Sequence, residues 1–446
     1  MRDERLSVLW LCGPPGVGKS AAGWVLYTRL ARSGTRVGFV DIDQLGMCLP
    51  APPGDPQRYR LKQRNLSAVA GGFHAFGCDA VVVSGHLGPA EAISPRTVDG
   101  ASLTICRLRA SADELRRRLT SRRATPDLVV DSLNEAEELD RSSFADACVD
   151  TDGLTVAEVA QLVRERCGGW PPERAAGARE AGAVPAAMPA VGADGDVLLL
   201  CGATGVGKSA AGFEVFLRQV RAGVAAAYID LEQIGFMHPV PVEGPDGNRL
   251  TARNLADLWR AYHATGARRL VLSGPVPDAR AAAVYAGVLP AARVTICRLH
   301  AGPAELAHRI SLRGQGRGWP QPGDPLIGQP EPYLRLVTEQ AAVDAEALED
   351  SGLGDLRINT NGLSVAQVAD IITNRWLPPP RNPMHSNLTC VAAPGASHAA
   401  PQVRLPPHRP LPARQPHERG SAPRCRSGLV APRASTFWPC GTHGRV

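Results

Sequence analysis

Residues 11–20 read LCGPPGVGKS and residues 200–209 read LCGATGVGKS, an offset of 189. The same offset carries Ser20-Ala21-Ala22-Gly23 onto Ser209-Ala210-Ala211-Gly212, Asp41 onto Asp230, Arg64-Asn65-Leu66 onto Arg253-Asn254-Leu255, and Ser84-Gly85 onto Ser273-Gly274. It widens to 191 where Thr104-Ile105-Cys106-Arg107-Leu108 meets Thr295-Ile296-Cys297-Arg298-Leu299. It reaches 209 where Asp152-Gly153-Leu154 meets Asn361-Gly362-Leu363. Register held over so many residues marks a duplicated domain, not a short solenoid repeat. The copies span 1–167 and 196–377. Between them, Ala, Gly and Pro fill 19 of the 28 positions 168–195, a linker composition. Residues 378–446 hold 14 of the 39 prolines and few large apolar side chains, so a disordered tail is expected.

Each copy alternates strand and helix. A short apolar run (7–12; 197–201) enters the glycine stretch, and a helix starting at Lys19 or Lys208 ends near Gly34 or Gly223. Strands are expected at 36–41 and 225–230, each closing on an acidic pair, and at 80–84, 270–273, 103–108 and 294–299. The last helix of each copy opens on a capping box, Thr155 to Glu158 and Ser364 to Gln367. Short buried strands alternating with helices give an α/β fold: two tandem domains, each a parallel sheet flanked by helices.

Both glycine stretches match Gly-x4-Gly-Lys-Ser. Glycines let backbone N–H groups turn around a phosphate, and the following helix N-terminus adds free donors and a favourable dipole. Gly13, Gly16, Gly18, Lys19 and Ser20, with Gly202, Gly205, Gly207, Lys208 and Ser209, are therefore the expected nucleotide-binding residues. ATP and Mg²⁺ are the expected cofactors. The lysines would neutralise β/γ-phosphate charge, and Ser20 and Ser209 would ligate the metal.

The second feature is acidic: Asp41-Ile42-Asp43 and Asp230-Leu231-Glu232. Spacing of two at a strand end points both acids to one face, beside the loop, where open parallel sheets bind ligands. One carboxylate would accept a hydroxyl proton from a phosphoryl acceptor, and the other would hold Mg²⁺ through water. The competing reading is a solvated strand end. Arginines follow the fourth strand, and Arg118 with Arg309 and Arg122 with Arg313 keep the offset of 191. They would clamp the transferring group from a lid hinged at Gly314-Gln315-Gly316-Arg317-Gly318, or else form a solvated helix face. Arg64-Asn65 and Arg253-Asn254 face an acceptor or the helix surface. His74, His86, His238 and His263 show no metal-ligand spacing.

Composition narrows the alternatives. The tail carries nine Arg and one acid, which is +8 of a net +6, so residues 1–377 carry −2 and are no basic nucleic-acid binder. No apolar run reaches membrane length, and no secretory segment is legible, so a cytoplasmic location is expected without a membrane partner. Eleven Cys without a CxxC pair read as buried thiols in a reducing compartment. Only three of 49 basic residues are lysine: Lys19, Lys62 and Lys208.

The order GxxxxGKS, helix, strand ending in an acidic pair, strand ending Ser-Gly, Arg-rich helix resembles the small-molecule P-loop kinases. Shikimate kinase, gluconate kinase, adenylylsulfate kinase and chloramphenicol phosphotransferase belong there. The resemblance implies two P-loop NTPase domains with five-stranded parallel cores, ATP with Mg²⁺, and an arginine-bearing lid. It places Asp41 and Asp43, or Asp230 and Glu232, at the acceptor-binding and base carboxylates. Glu232 departs from Asp-x-Asp, and neither third strand ends in the acid of motor and GTPase families. The expected activity is phosphoryl transfer from ATP to a small hydroxyl- or phosphate-bearing acceptor, with the two domains free to pair within the chain. The alternative is a regulator that binds two nucleotides and hydrolyses them slowly or not at all.

Overall fold

A computed structural model describes residues 5–86, 98–122, 124–172, 188–239, 248–318 and 324–377. The linker read at 168–195 is described only at its ends, and those ends are built into the fold. Trp170 and Val191 are buried, and the Val191 N–H donates to the Val288 carbonyl. The reading of 378–446 as a disordered tail lies outside the described residues. Among those residues no helix is long and apolar enough to cross a membrane.

In the first copy, strand β1 (Leu6–Cys12) leads into the glycine loop and helix α1 (Lys19–Arg32). Next come β2 (Val37–Asp41), a two-residue strand β3 (Cys48–Leu49), α2 (Tyr59–Ala75), β4 (Ala80–Ser84) and β5 (Ala101–Arg109). Helices α3 (Ala112–Ser121) and α4 (Pro126–Asp140), strand β6 (Ala147–Asp150) and helix α5 (Val156–Arg166) complete it. The second copy runs β7 (Gly195–Cys201), α6 (Lys208–Arg221), β8 (Ala226–Asp230), β9 (Met237–His238), α7 (Arg249–Ala264) and β10 (Arg269–Ser273). It continues with α8 (Ala279–Gly287), β11 (Ala292–His300), α9 (Pro303–Gly314), α10 (Glu331–Asp350), β12 (Leu356–Asn359) and α11 (Val365–Trp376). Both expected capping boxes form, at the starts of α5 and α11.

Within each copy five strands pair in parallel, in the orders β6-β5-β1-β4-β2 and β12-β11-β7-β10-β8. The strand entering the loop is central and fully paired, so its carboxyl end, where the loop sits, is the best-anchored point of the sheet. β1 is buried along its whole length.

Each sheet has a sixth, antiparallel strand, and it comes from the other copy. Met237 and His238 of β9 pair with Gly38 and Val37 of β2, while Cys48 and Leu49 of β3 pair with Ala227 and Ala226 of β8. The sheets are therefore mixed: the expected five-stranded parallel core stands in each copy, with one antiparallel strand added at its edge. An exposed edge strand is a template for unwanted pairing, and this reciprocal exchange covers the β2 and β8 edges. The bonds continue past the strands, from Phe39 N–H to the Phe236 carbonyl and from Tyr228 N–H to the Met47 carbonyl. Phe236 also stacks edge-on against Trp24 of α1, with centroids 5.0 Å apart.

Helices α2 and α7 pack on each other beneath this exchange. At the crossing, a Cβ on Gly72 would fall 2.1 Å from Asn254 Oδ1, so only glycine allows the approach. One hydrophobic core runs through both copies, joining Val8, Val81 and Phe73 to Val197, Leu255 and Trp259.

Candidate active site

The phosphate loop is shaped before any ligand arrives. Gly13, Gly16 and Gly18 take φ of 136°, 83° and 103°, and Gly202, Gly205 and Gly207 repeat this with 142°, 84° and 98°. A Cβ on Gly13 would lie 2.4 Å from the Leu108 carbonyl oxygen, so the loop can hug β5 only with glycine there. Gly18 and Gly207 precede α1 and α6 without any side-chain cap, which leaves the first-turn N–H groups free for an anion. Lys19 Nζ donates to the Gly13 and Pro14 carbonyls at 2.7 and 3.0 Å, and Lys208 Nζ does the same to Gly202 and Ala203 at 2.9 and 3.1 Å. Both ammonium groups are thus parked over the cradle, held by the loop's own carbonyls.

Beside each loop a strand end brings oxygens together. Ser20 Oγ and Ser84 Oγ each donate to Asp41 Oδ2 at 3.3 Å, and Ser209 Oγ donates to Asp230 Oδ2 at 2.8 Å. A serine hydroxyl beside a carboxylate is a hard-oxygen set that suits Mg²⁺ delivered with a nucleotide. Burial, then the neighbouring Asp43 charge, push the Asp41 carboxyl up to about 7. Burial and Glu232 push Asp230 up to about 6. Burial also holds the Lys208 ammonium below its ordinary value.

The copies diverge at the second acid. In the first copy Lys62 Nζ, on α2, lies 2.6 Å from Asp43 Oδ1. Burial works to raise the Asp43 carboxyl, but the Lys62 charge and hydrogen bond, with His86 and Lys19, outweigh it and hold the group below the usual carboxylate range. Beside this pair, Tyr59 Oη and His86 Nε2 are 2.6 Å apart, and His86 Nδ1 is 2.5 Å from Glu135 Oε1 on α4. In the second copy Thr251 replaces Lys62, Asn248 replaces Tyr59 and Pro275 replaces His86 at the offset of 189. Glu232 is exposed and has no ion-pair partner among the described residues.

The arginines divide. Arg118 is a brace: its guanidinium donates to the Val17 carbonyl at 3.1 Å, to Thr151 Oγ1 at 3.0 Å, to the Thr151 carbonyl at 2.8 Å and to Glu114 at 2.6 Å. Arg309 repeats the set on Val206, Thr360 and Glu305. Arg122 is exposed at the end of α3. Arg313 donates two bonds to Asp324, at 3.1 and 3.0 Å, and its charge acts on Lys208.

The matched Arg-Asn pairs serve the architecture. Asn65 Nδ2 donates to the Leu45 carbonyl and Asn254 Nδ2 to the Ile234 carbonyl, both at 2.7 Å, fixing the turn that follows each acidic pair. Arg64 reaches across to the Ala261 carbonyl of α7.

The sequence reading noted Lys62 and His86 without giving either a role at this site, and did not single out Tyr59 or Glu135. The available signal was compositional: in a chain that uses arginine almost everywhere, the one lysine outside the loops is Lys62.

No functionally curated protein matches the sequence. Among solved structures the chain is similar to the tunicamycin resistance protein of Deinococcus radiodurans, with 21% identity and a TM-score of 0.29 over 37% of this chain and 96% of that one. A gluconokinase from Sinorhizobium meliloti shares 23% identity, TM-score 0.27, over 38% and 93%. The APS kinase of Mycobacterium tuberculosis shares 20%, TM-score 0.28, over 36% and 96%. Residues 9–140 match the family described as an AAA domain, so the first copy carries a P-loop nucleotide-binding fold.

Proposed function

We propose that this chain is an ATP-dependent phosphotransferase acting on a small hydroxyl- or phosphate-bearing acceptor, with nucleotide bound in both loops and transfer centred on the first copy. The observation that carries the reading is the Asp43–Lys62 pair beside Lys19 and the Asp41–Ser20 cluster. An acid held by a buried lysine beside a phosphate cradle supports the reading of a polar acceptor platform there.

Several residues divide the work. The loop N–H groups and the α1 N-terminus would hold the phosphates, and Lys19 would exchange the Gly13 and Pro14 carbonyls for phosphate oxygens. Ser20, with Asp41 behind it, would hold Mg²⁺, which supplies charge neutralisation on the phosphates when bound. Asp43, fixed by Lys62, would orient the acceptor; holding reactants in place is itself a large part of such catalysis. Arg122 and Arg313 remain the candidate lid clamps. The second copy keeps the cradle but lacks the platform, which favours a nucleotide-binding, supporting role there.

The test is ADP release by the full chain with ATP and Mg²⁺ across a panel of sugars, polyols and hydroxy acids, with Lys19→Ala and Lys208→Ala as controls. Acceptor-dependent release that Lys19→Ala abolishes supports the reading. ATP binding without any acceptor dependence would show a regulator instead.

A further inference from the structure

The residue that takes the acceptor's proton is a separate question from where the acceptor sits, and the first copy answers it in an unexpected place. Asp43, the strand-end acid expected to act as base, has Oδ1 covered by Lys62 at 2.6 Å. Asp41 is buried, and its oxygens accept from Ser20, Ser84 and the Asp43 N–H. Asp43, 35% exposed in its side chain, is the rival base; the imidazole nearby is 20% exposed and already lined up with a hydroxyl.

We propose that His86, oriented by Glu135, is the general base for phosphoryl transfer in the first copy, with the Tyr59 hydroxyl standing where the acceptor hydroxyl binds. The inference rests on the phosphotransferase reading above and deepens it.

Three observations carry it. First, the hydrogen-bond chain accommodates a neutral imidazole between a carboxylate and a hydroxyl. A Glu135 carboxylate can only accept, so Nδ1 of His86 carries the hydrogen and donates to it. Nε2 then presents its lone pair, and the Tyr59 phenol, which burial keeps protonated, donates to it. A carboxylate-oriented imidazole with its lone pair turned to a hydroxyl is the arrangement used for proton abstraction.

Second, the group stands at the reaction's edge. His86 follows Gly85, whose N–H donates to the Leu11 carbonyl of β1, directly before the phosphate loop. Glu135 lies one helical turn beyond Ser132, whose hydroxyl donates to the Pro15 carbonyl of that loop. Gly85 and Ser132 thus tie both ends of the imidazole chain to the strand and loop that carry Lys19.

Third, Tyr59 is placed to yield. It is the first residue of α2, behind Arg58 at a left-handed φ of 59° and a turn-rich approach from 50 to 58. A helix-terminal side chain can leave Nε2 without disturbing the helix.

In the step, the acceptor oxygen bonds to the γ-phosphorus of ATP and the bond from that phosphorus to the β-bridging oxygen breaks, its electron pair leaving with ADP. The hydroxyl proton passes to His86 Nε2. The imidazolium charge is balanced by Glu135, and the proton is then released to water.

The experiment compares His86→Gln, His86→Ala, Glu135→Gln and Asp43→Asn in the full chain with ATP, using the acceptor that the sugar, polyol and hydroxy-acid panel identifies. General-base loss predicts a kcat drop of roughly 10²–10⁴-fold for His86→Gln, with ATP affinity and acceptor KM near wild type. Imidazole added to His86→Ala should restore part of the rate, a rescue that a purely structural histidine would not show. Near-wild-type kcat in His86→Gln, with Asp43→Asn inactive, returns the base to Asp43 and overturns the proposal while leaving the phosphotransferase reading standing. If the wild type binds ATP but phosphorylates nothing on the panel, the phosphotransferase reading fails and the base with it. ¹⁵N spectroscopy of the ligand-free chain supplies an acceptor-independent check: hydrogen on Nδ1 of His86 is expected, and hydrogen on Nε2 alone refutes the assignment.

Discussion

Lys62 Nζ lies 2.6 Å from Asp43 Oδ1, and the residue equivalent to Lys62 in the second copy is Thr251. This ion pair joins α2 to the turn after β2, next to the phosphate loop. It is one of the features by which two otherwise matching domains are made chemically unequal. Lys62 is almost fully buried while the Asp43 side chain is 35% exposed, so the pair is screened from the acid's side only.

Lys62→Met should free Asp43 and lose the oriented platform. We expect acceptor turnover to fall by about 10²-fold, the scale of a misplacement near 1 Å, with ATP affinity nearly unchanged. Steady-state kinetics beside titration calorimetry checks it. Thr251→Val in the second copy should leave turnover close to wild type.

Both loops carry the same glycine geometry and the same parked lysine, so the chain should bind two ATP. Lys19→Ala and Lys208→Ala should each remove about one site in calorimetry. A single site in the wild type would show that one cradle is closed to nucleotide.

Ligand-free stability should fall as pH rises from about 4 to about 7. Asp41 and Asp230 are raised by burial to about 7 and about 6, so the folded chain holds protons that the unfolded chain has released near pH 4. Their stabilising effect is complete below pH 4 and is lost as each folded-state value is passed. Asp41→Asn and Asp230→Asn should therefore gain on the wild type between pH 5 and pH 8, by on the order of a few kcal/mol per site. Urea unfolding at the two pH values measures the gap. A gap that does not change with pH would place both groups in the ordinary carboxylate range.

Residues 1–172 expressed alone would leave β2 without β9 and α2 without α7. The bare edge and apolar helix face should drive self-association, visible as dimers or larger species by light scattering. Adding residues 188–377 should convert them to a one-to-one complex. A monomeric first half that unfolds cooperatively would show that the exchange is dispensable.

The duplication, the two phosphate loops and most of the parallel strands were readable because they depend on local signals. Gly-x4-Gly-Lys-Ser needs only eight residues of chain, and runs such as Ala80-Val81-Val82-Val83 are continuously apolar because both faces of the sheet are covered. Lys19, Ser20 and Asp41 were legible for the same reason, since strand, loop and helix follow one another directly.

The exchange and the Asp43–Lys62 pair were not legible. β3 and β9 are two residues each, too short for any periodicity, and their partners lie in the other copy. Arg64 and Asn65 could be read as acceptor contacts or as helix surface; they bond to α7 and to the turn after β2, a choice that helix packing makes. His86 reads in sequence as a lone histidine; only the folding of α2 and α4 around the loop brings Tyr59 and Glu135 to its two nitrogens. Sequence alone therefore determined where phosphate can bind, because that site is made of consecutive backbone. Tertiary structure decided which copy carries the Asp43–Lys62 pair and the Tyr59–His86–Glu135 chain beside that loop, because those side chains meet only when distant helices pack.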